Sequence, residues 1–294
     1  MPSDGKPFAE GRLRLGLAGR DGLRWAMVDL TSILETYRRR LDLSPVASAA
    51  LGRAMAGAAL LVRMAEKTPT RLMLEVRGDG PLGQVLVEAD GEGNLRGLVG
   101  NRLVDVPRTP ANKLDVGRAV GDGLLRVARE VAGRRYQSQV ELVSGEIGDD
   151  LAHYLDQSEQ TRSAVLVGVL TRQHGIAAAG GLMIEALPEA APEVVSRLEE
   201  NLSATVGVSR LLEDGGADQV LGQLLAGLEP RSLDQREVFY RCRCSREKLL
   251  GHLSTLSAEE AESLVAESGE IEADCVFCGS QYRFVTAELQ SVAN

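Results

Sequence analysis

The sequence predicts an α+β fold in three parts: an N-terminal antiparallel-sheet domain with packed helices (1–189), an amphipathic helical linker (190–231) and a small C-terminal module (232–294). Three observations predict it. Apolar residues recur at strand and helix periods in mixed runs up to about residue 187, without the regular βαβ alternation of a parallel sheet. Composition then shifts at Pro188-Glu189-Ala190-Ala191-Pro192 into two amphipathic stretches. Finally, all four cysteines of the 294 residues lie in the last fifth of the chain.

Taken in order, Arg12 to Val28 reads as a hairpin, with Leu13, Leu15 and Leu17 alternating before the Gly19-Arg20-Asp21-Gly22 turn. A short helix is expected over Ser32 to Arg40. Ser44 as N-cap and Pro45 at the first helical position open a longer one. Its alanines and glycines, from Ala47 to Ala59, suit a helix lying close against a sheet. Gly78-Asp79-Gly80-Pro81-Leu82-Gly83 matches G-x-G-x-x-G and follows the strand Leu72 to Val76. A dinucleotide site needs a helix to start there, yet Gln84 to Asp90 is β-rich, so the stretch reads as a hairpin loop. A second turn at Asp90 to Asn94 leads into a strand through Val99. Further strands are expected at Leu124 to Val127, Tyr136 to Val143, Ser163 to Leu170 and Ile176 to Leu187, with a helix over Glu146 to Glu159.

In the linker, Val194, Val195, Leu198 and Leu202 share one helical side, opposite Arg197, Glu199 and Glu200. After the Gly215-Gly216 break, Val220, Leu221, Leu224, Leu225 and Leu228 form a second stripe. Both need a packed neighbour, and the default is the sheet domain itself.

The cysteines read Cys242-Arg243-Cys244, then 30 intervening residues, then Cys275-Val276-Phe277-Cys278. Two close pairs across such a loop are what a closed tetrahedral zinc site needs, since each tight turn supplies two sulfurs. One zinc on Cys242, Cys244, Cys275 and Cys278 is therefore expected. Between the pairs, Ser245 is placed to cap a helix carrying Leu249, Leu250 and Leu253. Ser257 and Glu260 have capping-box spacing for a second, with Ala261, Leu264 and Val265 inward and Gly269 ending it. Cys275 to Gly279 reads as a knuckle between two short strands. The C-x-x-C also raises a thioredoxin-type oxidoreductase, but no βαβ pattern precedes Cys275. His252 lies near the pairs, although four thiolates already fill a tetrahedron; His153 and His174 are isolated.

A formal net charge of −9 counts against a nucleic-acid partner, and the last 63 residues carry eleven acidic against six basic side chains. One Trp, five Tyr and four Phe offer few platforms for stacking bases. The longest apolar stretch of the small-residue helix, Ala54 to Val62, falls short of the roughly 20 residues a bilayer requires. Met1 to Lys6 leads into no signal-peptide core, so a soluble cytoplasmic protein is expected. No nucleophile–base constellation stands out, which argues against an enzyme.

Several segments carry a resemblance: Arg77 to Leu82, Val87-Glu88-Ala89-Asp90, Tyr154 with Gln157-Ser158-Glu159-Gln160, Ala179-Gly180-Gly181 before Leu187-Pro188, and Cys242-Arg243-Cys244-Ser245 with the later C-x-x-C. With them, the chain resembles the redox-regulated chaperones of the heat-shock protein 33 family over nearly its whole length. One departure is Glu185, in Met183-Ile184-Glu185, where an amide is expected. The resemblance implies an ATP-independent holdase that binds unfolding client proteins under oxidative and heat stress. It is inactive when reduced and zinc-bound, and it is activated by disulfide formation with zinc release. The resemblance also implies the disulfides Cys242–Cys244 and Cys275–Cys278, and a homodimer in the oxidised state. Four cysteines allow three connectivities. A binding protein whose zinc module is only a structural docking unit is the competing class.

Overall fold

The computed structural model describes residues 6–65, 70–205, 207–257, 260, 263–265, 270–285 and 288. They form two compact units, Ala9–Tyr240 and the residues from Arg241 onward with the short segment ending at Phe8.

In the larger unit, β1 (Ala9–Ala18) and β2 (Leu23–Asp29) form the expected first hairpin, with Leu13 facing Val28 and Leu17 facing Arg24. Helix α1 (Thr31–Leu41) follows. Helix α2 (Pro45–Met64) starts as anticipated, its N-cap Ser44 hydroxyl accepting the Ala47 amide at 3.2 Å. Contrary to the sequence reading, this helix has the length and apolar composition of a membrane span, but 89% of the qualifying stretch is buried inside the protein. Its small side chains let strands pack around it from several directions, which makes it a core helix.

Strands β3 (Arg71–Gly78), β4 (Gln84–Ala89) and β5 (Asn94–Val99) form an antiparallel meander. The G-x-G-x-x-G stretch is the β3–β4 turn, closed by the Gly78 amide on the Gly83 carbonyl at 3.0 Å. A Cβ on Gly78 would lie 1.9 Å from the Val120 carbonyl oxygen. Close packing, not a phosphate, therefore explains that glycine. Next come α3 (Val116–Val120), which the sequence pattern did not reveal, then β6 (Gly123–Val131) and β7 (Arg134–Glu141). Helix α4 (Gly148–Tyr154) continues as a single π-helical turn, Leu155–Glu159, where one α-helix was expected. Buried Asp150 accepts the amides of Val143, Ser144, Gly145 and Ile147 at 2.8–3.3 Å, fixing the chain's entry into α4.

Strands β8 (Ser163–Arg172) and β9 (Gly175–Ala186) form the last long hairpin. Glu185, the residue that departs from the resemblance, forms an ion pair with Arg24 (Nε–Oε2 2.9 Å) and is mostly buried. Helix α5 (Pro192–Ser203) leads to α6 (Val208–Leu224), which breaks at Gly215 and Gly216 as the sequence suggested. Strand β10 (Arg231–Tyr240) then completes a ten-stranded sheet of order β7-β6-β3-β4-β5-β10-β1-β2-β9-β8. Every neighbouring pair is antiparallel except β10 with β5, which run parallel through Phe239–Asn94 and Tyr240–Leu95. Residues 232–240, assigned by sequence to the terminal module, thus belong to this sheet. The compact unit ends at Tyr240.

The linker stripes pack on the sheet. Leu198, Val208, Leu211, Leu212, Val220, Leu221, Leu224, Leu225 and Leu228 are buried in one cluster with Trp25, Met27, Leu182 and Ile184. Each large side chain buried there is worth about 1.5–3 kcal/mol relative to exposure. The helical segments are short, so this tertiary burial, not propensity, holds them. Gly222 lies within α6 with nothing within 4 Å of an added Cβ, whereas Gly227 has φ +75°. Gly222→Ala is therefore expected to stabilise the larger unit by about 1 kcal/mol in chemical denaturation. Gly227→Ala is expected to destabilise it by about 1–2 kcal/mol, since an L side chain is strained there.

The smaller unit contains α7 (Arg246–Leu253) and the antiparallel pair β11 (Glu270–Asp274) and β12 (Gln281–Val285). Ser245 caps α7 by accepting the Lys248 amide at 3.3 Å. Ser257 and Glu260 make the reciprocal bonds of a capping box, at 2.8 and 3.3 Å. Leu264, expected inward, is 49% exposed, while Val265 bridges to Ile271. Ala261 and Gly269, the other marks of that second helix, lie outside the described residues. Among the described residues, the core of this unit is Ile271, Tyr282 and Phe284 beside the cysteines, too little to stabilise so short a chain alone.

Candidate metal centre

Two chain segments present the four sulfurs, an extended one before α7 and a turn between β11 and β12. Cys242 and Cys244 lie between Tyr240 and the Ser245 cap of α7. Cys275 and Cys278 belong to the β11–β12 turn, closed by the Cys278 and Gly279 amides on the Cys275 carbonyl at 3.2 and 2.7 Å. The Cys275 amide bonds the Ser280 carbonyl at 2.9 Å, and Gly279 takes φ +66° to reverse the chain. This is the knuckle the sequence suggested.

The four sulfurs of Cys242, Cys244, Cys275 and Cys278 all lie within 4.8 Å of one another. Cys242 Sγ is 3.6 Å from Cys275 Sγ, and Cys244 Sγ is 3.5 Å from Cys278 Sγ. No pair is bonded as a disulfide. Cys242, Cys275 and Cys278 are buried, and Cys244 is partly exposed. Amides two residues downstream, those of Cys244, Phe277 and Ser280, hydrogen-bond the sulfurs of Cys242, Cys275 and Cys278. Amide donors aimed at sulfur favour the thiolate. The side chains of Ser280 and Tyr282 add contacts at 3.2 Å to Cys278 and 3.1 Å to Cys244.

The electrostatics follow from this crowding. Bonds from Cys242 and Cys275, then Ser280, hold the Cys278 thiol far below its ordinary value. Bonds to Cys275 and Cys278, with burial, push Cys242 far above it. At Cys275 the Cys242 contact pulls down, but Cys278 and burial outweigh it and raise the thiol to about 11. A cation at the centre would take the place of thiol protons and let the sulfurs bind as thiolates. The described residues fit a metal ion bound by four sulfurs. His252 is exposed on α7 and is not part of this group.

Comparisons with known proteins bear on the whole chain. The family model described as Hsp33 protein matches residues 12–285. This chain belongs to the Hsp33 family. Hsp33 relatives include a 33 kDa chaperonin of Thermus thermophilus, 46% identical over 96% of this chain and 86% of that protein. The 33 kDa chaperonin of Nostoc punctiforme is 41% identical over 92% of each. Among solved structures, the 33 kDa chaperonin of Thermotoga maritima, described as a heat shock protein 33 homologue, superposes with a TM-score of 0.88 at 32% identity, covering 96% of this chain and 97% of that one. The Hsp33 resemblance read from the sequence is therefore correct, and the α+β architecture agrees with it.

Sequence spacing found all four cysteines. It did not find Tyr282 or Ser280, whose contacts with the sulfurs depend on the β11–β12 register.

Proposed function

We propose that this Hsp33 protein is a thiol-switched chaperone: an ATP-independent holdase, inactive when reduced and zinc-bound, that captures unfolding client proteins once its cysteines are oxidised. The observation that carries this reading is the four-sulfur cluster of Cys242, Cys244, Cys275 and Cys278 in a chain whose relatives are named 33 kDa chaperonins. Four thiolates select a soft tetrahedral ion, and zinc–sulfur bonds of about 2.3 Å set tetrahedral sulfurs about 3.8 Å apart. Two of the sulfur pairs, at 3.5 and 3.6 Å, suit that spacing.

Bound zinc would keep the sulfurs as thiolates and cross-link the two halves of the small unit. A thiolate sulfur attacks peroxide, the O–O bond breaks, hydroxide leaves and a sulfenic acid forms. A second cysteine thiol then displaces that oxygen as water, giving a disulfide. The proposed products are Cys242–Cys244 and Cys275–Cys278. Sulfurs of opposite pairs also lie close in the folded cluster, at 3.6 Å for Cys242 and Cys275 and 3.5 Å for Cys244 and Cys278. Neighbour pairing is favoured once the metal leaves and the two segments part, because sequence neighbours then meet first. The division of labour is a sheet domain (1–189), a linker (190–231) and a redox module, with the module's structural start moved to Arg241. The linker's short segments, broken at Gly207, Gly215–Gly216 and Gly227, are the proposed source of apolar surface for clients. The remaining parts of the reading are a cytoplasmic setting, which keeps unstressed thiols reduced, a homodimer in the oxidised state, and binding in place of catalysis.

Peptide mapping without reductant, after peroxide at raised temperature, tests this directly. We expect the two neighbour disulfides and one zinc released per chain. A dominant Cys244–Cys275 linkage would mean that oxidation staples the unit shut, and would contradict the proposal.

A further inference from the structure

We propose that a cavity between the two ends of the ten-stranded sheet binds a small zwitterion of dipeptide size, with Arg129 holding its carboxylate and Glu185 its ammonium group. The site belongs wholly to the Ala9–Tyr240 unit, shares no residue with the cysteine cluster and does not depend on the redox-switch reading. Its volume is about 600 Å³. Ligand pockets span roughly 300–1,000 Å³. Strands β7 and β8 are the two edges of the sheet, and both line the cavity, through Ser138 and Ser163. The end of α2 contributes Leu61 and Met64, and the π-helical turn contributes Leu155 and Glu159. Such turns are frequent at functional sites.

The charged lining is two arginines and two glutamates, already joined in pairs. Arg24 and Glu185 face each other across β2 and β9, and Arg24 Nη2 also donates to the Met64 carbonyl at 2.8 Å. Arg129 Nη2 donates to Glu159 Oε1 and to the Tyr154 hydroxyl. Neither pair spends its full capacity among the described residues. Arg24 bonds Glu185 through Oε2 alone, leaving Oε1 and its own Nη1 without a partner. Glu159 accepts only through Oε1, from Arg129 and Tyr154, and Arg129 leaves Nε and Nη1. The four side chains are 18–30% exposed, so solvent and a small solute reach them.

This balance selects the ligand. A polyanion would bring its charges against two carboxylates, and a polyamine against two guanidinium groups. A wholly apolar ligand would cover the unspent donors and acceptors and leave them unpaired, which is costly. A zwitterion gives each sign a partner through charge-assisted hydrogen bonds. Arg129 has the larger unspent donor set, so it takes the carboxylate. Glu185 is the less exposed of the two acids, at 18% against 30%, and accepts from a single side chain, so it takes the ammonium. Val127, Met183, Leu61 and Met64 give the apolar wall for the body of the ligand. A dipeptide with aliphatic side chains carries one charge at each end of such a body.

The experiment is calorimetric titration of the full chain at neutral pH with leucyl-leucine, its N-acetylated form and its C-terminal amide. We expect the free dipeptide to bind saturably at one site per chain. Each capped form should bind at least about tenfold more weakly, the factor that one charge-assisted hydrogen bond carries. Glu185→Gln keeps the shape of the side chain and removes its charge. It is expected to weaken the free dipeptide about tenfold and to leave the N-acetylated form, which has no ammonium, unchanged. Absence of saturable binding by the free dipeptide overturns the proposal. Capped forms that bind as tightly as the free one overturn it too, because recognition then ignores the charged ends. Equal weakening of the free and acetylated forms in Glu185→Gln reports a distorted cavity and overturns the role of Glu185. Where that variant fails to fold, the comparison of free and capped peptides on the parent chain decides.

Discussion

A chain ending at Tyr240 is expected to fold and to suppress client aggregation without any oxidant, whereas a chain ending at Arg231 is expected not to fold. Sequence alone places the cut at Ser232, the start of the expected terminal module. The structure moves it, because Arg231–Tyr240 is β10, seated between β1 and β5. Removing it takes out Val238 and the fully buried Tyr240, whose ring stacks on Tyr37 with centroids 3.7 Å apart. Losing one such aromatic costs about 3–5 kcal/mol. The ladder bonds of β1 and β5 are lost with it, and a whole domain has only about 5–15 kcal/mol in reserve. Circular dichroism and denaturant titration of both truncations check the folding half. Aggregation of a chemically unfolded client checks the activity half. A folded Tyr240 truncation that stays inactive would show that removing the cysteine unit does not activate the linker.

Metal removal is expected to have the second large effect. Chelation under reducing conditions should unfold the unit beyond Arg241 and leave Ala9–Tyr240 intact. Structural zinc contributes roughly 10–16 kcal/mol in small zinc-dependent folds. Ile271, Tyr282 and Phe284, the large apolar core residues described in this unit, cannot supply that alone. Hydrogen exchange with and without chelator reads both units together. Protection over residues 270–285 should collapse while that of β1, β2 and β9 persists. Cys275→Ser should lower zinc affinity by orders of magnitude. Undiminished affinity in that variant would rule out the four-thiolate site.

These cases also show how far the chain could be read before its structure. The hairpins at 12–28, 72–89 and 163–187 were legible because apolar strand-forming runs flank short turns; β3 and β4 bury one face and alternate, whereas β9 is buried nearly throughout and reads as a continuous apolar run. The cysteine site was legible because metal coordination imposes its own spacing. Strand β10 was not. Arg231, Asp234, Arg236 and Glu237 give it a polar surface, with ion pairs from Arg231 to Asp21 and from Arg63 to Asp234, and only Val238 and Tyr240 are buried. Its strand character comes from the neighbours on either side and not from its own pattern. The π-helical turn after Tyr154 was invisible for a similar reason. Tyr154 and Glu159 bond each other at 2.7 Å, Arg129 donates to Tyr154 at 2.9 Å and also pairs with Glu159, and no local periodicity announces such a network. Helix α2 shows the opposite limit: its composition fits a membrane or a core equally well, and only the surrounding strands decide.

The central claim is that oxidation of the four cysteines converts an idle protein into a client-binding one. The direct measurement takes a single reduced, zinc-loaded preparation, treats half with peroxide at raised temperature, and records zinc release and suppression of client aggregation side by side. We expect no suppression in the reduced half, and suppression in the treated half that rises in step with zinc release and reverses with reductant and zinc. Equal suppression in both halves, or full zinc release with none, would contradict the account and leave the cysteine unit as a structural module only.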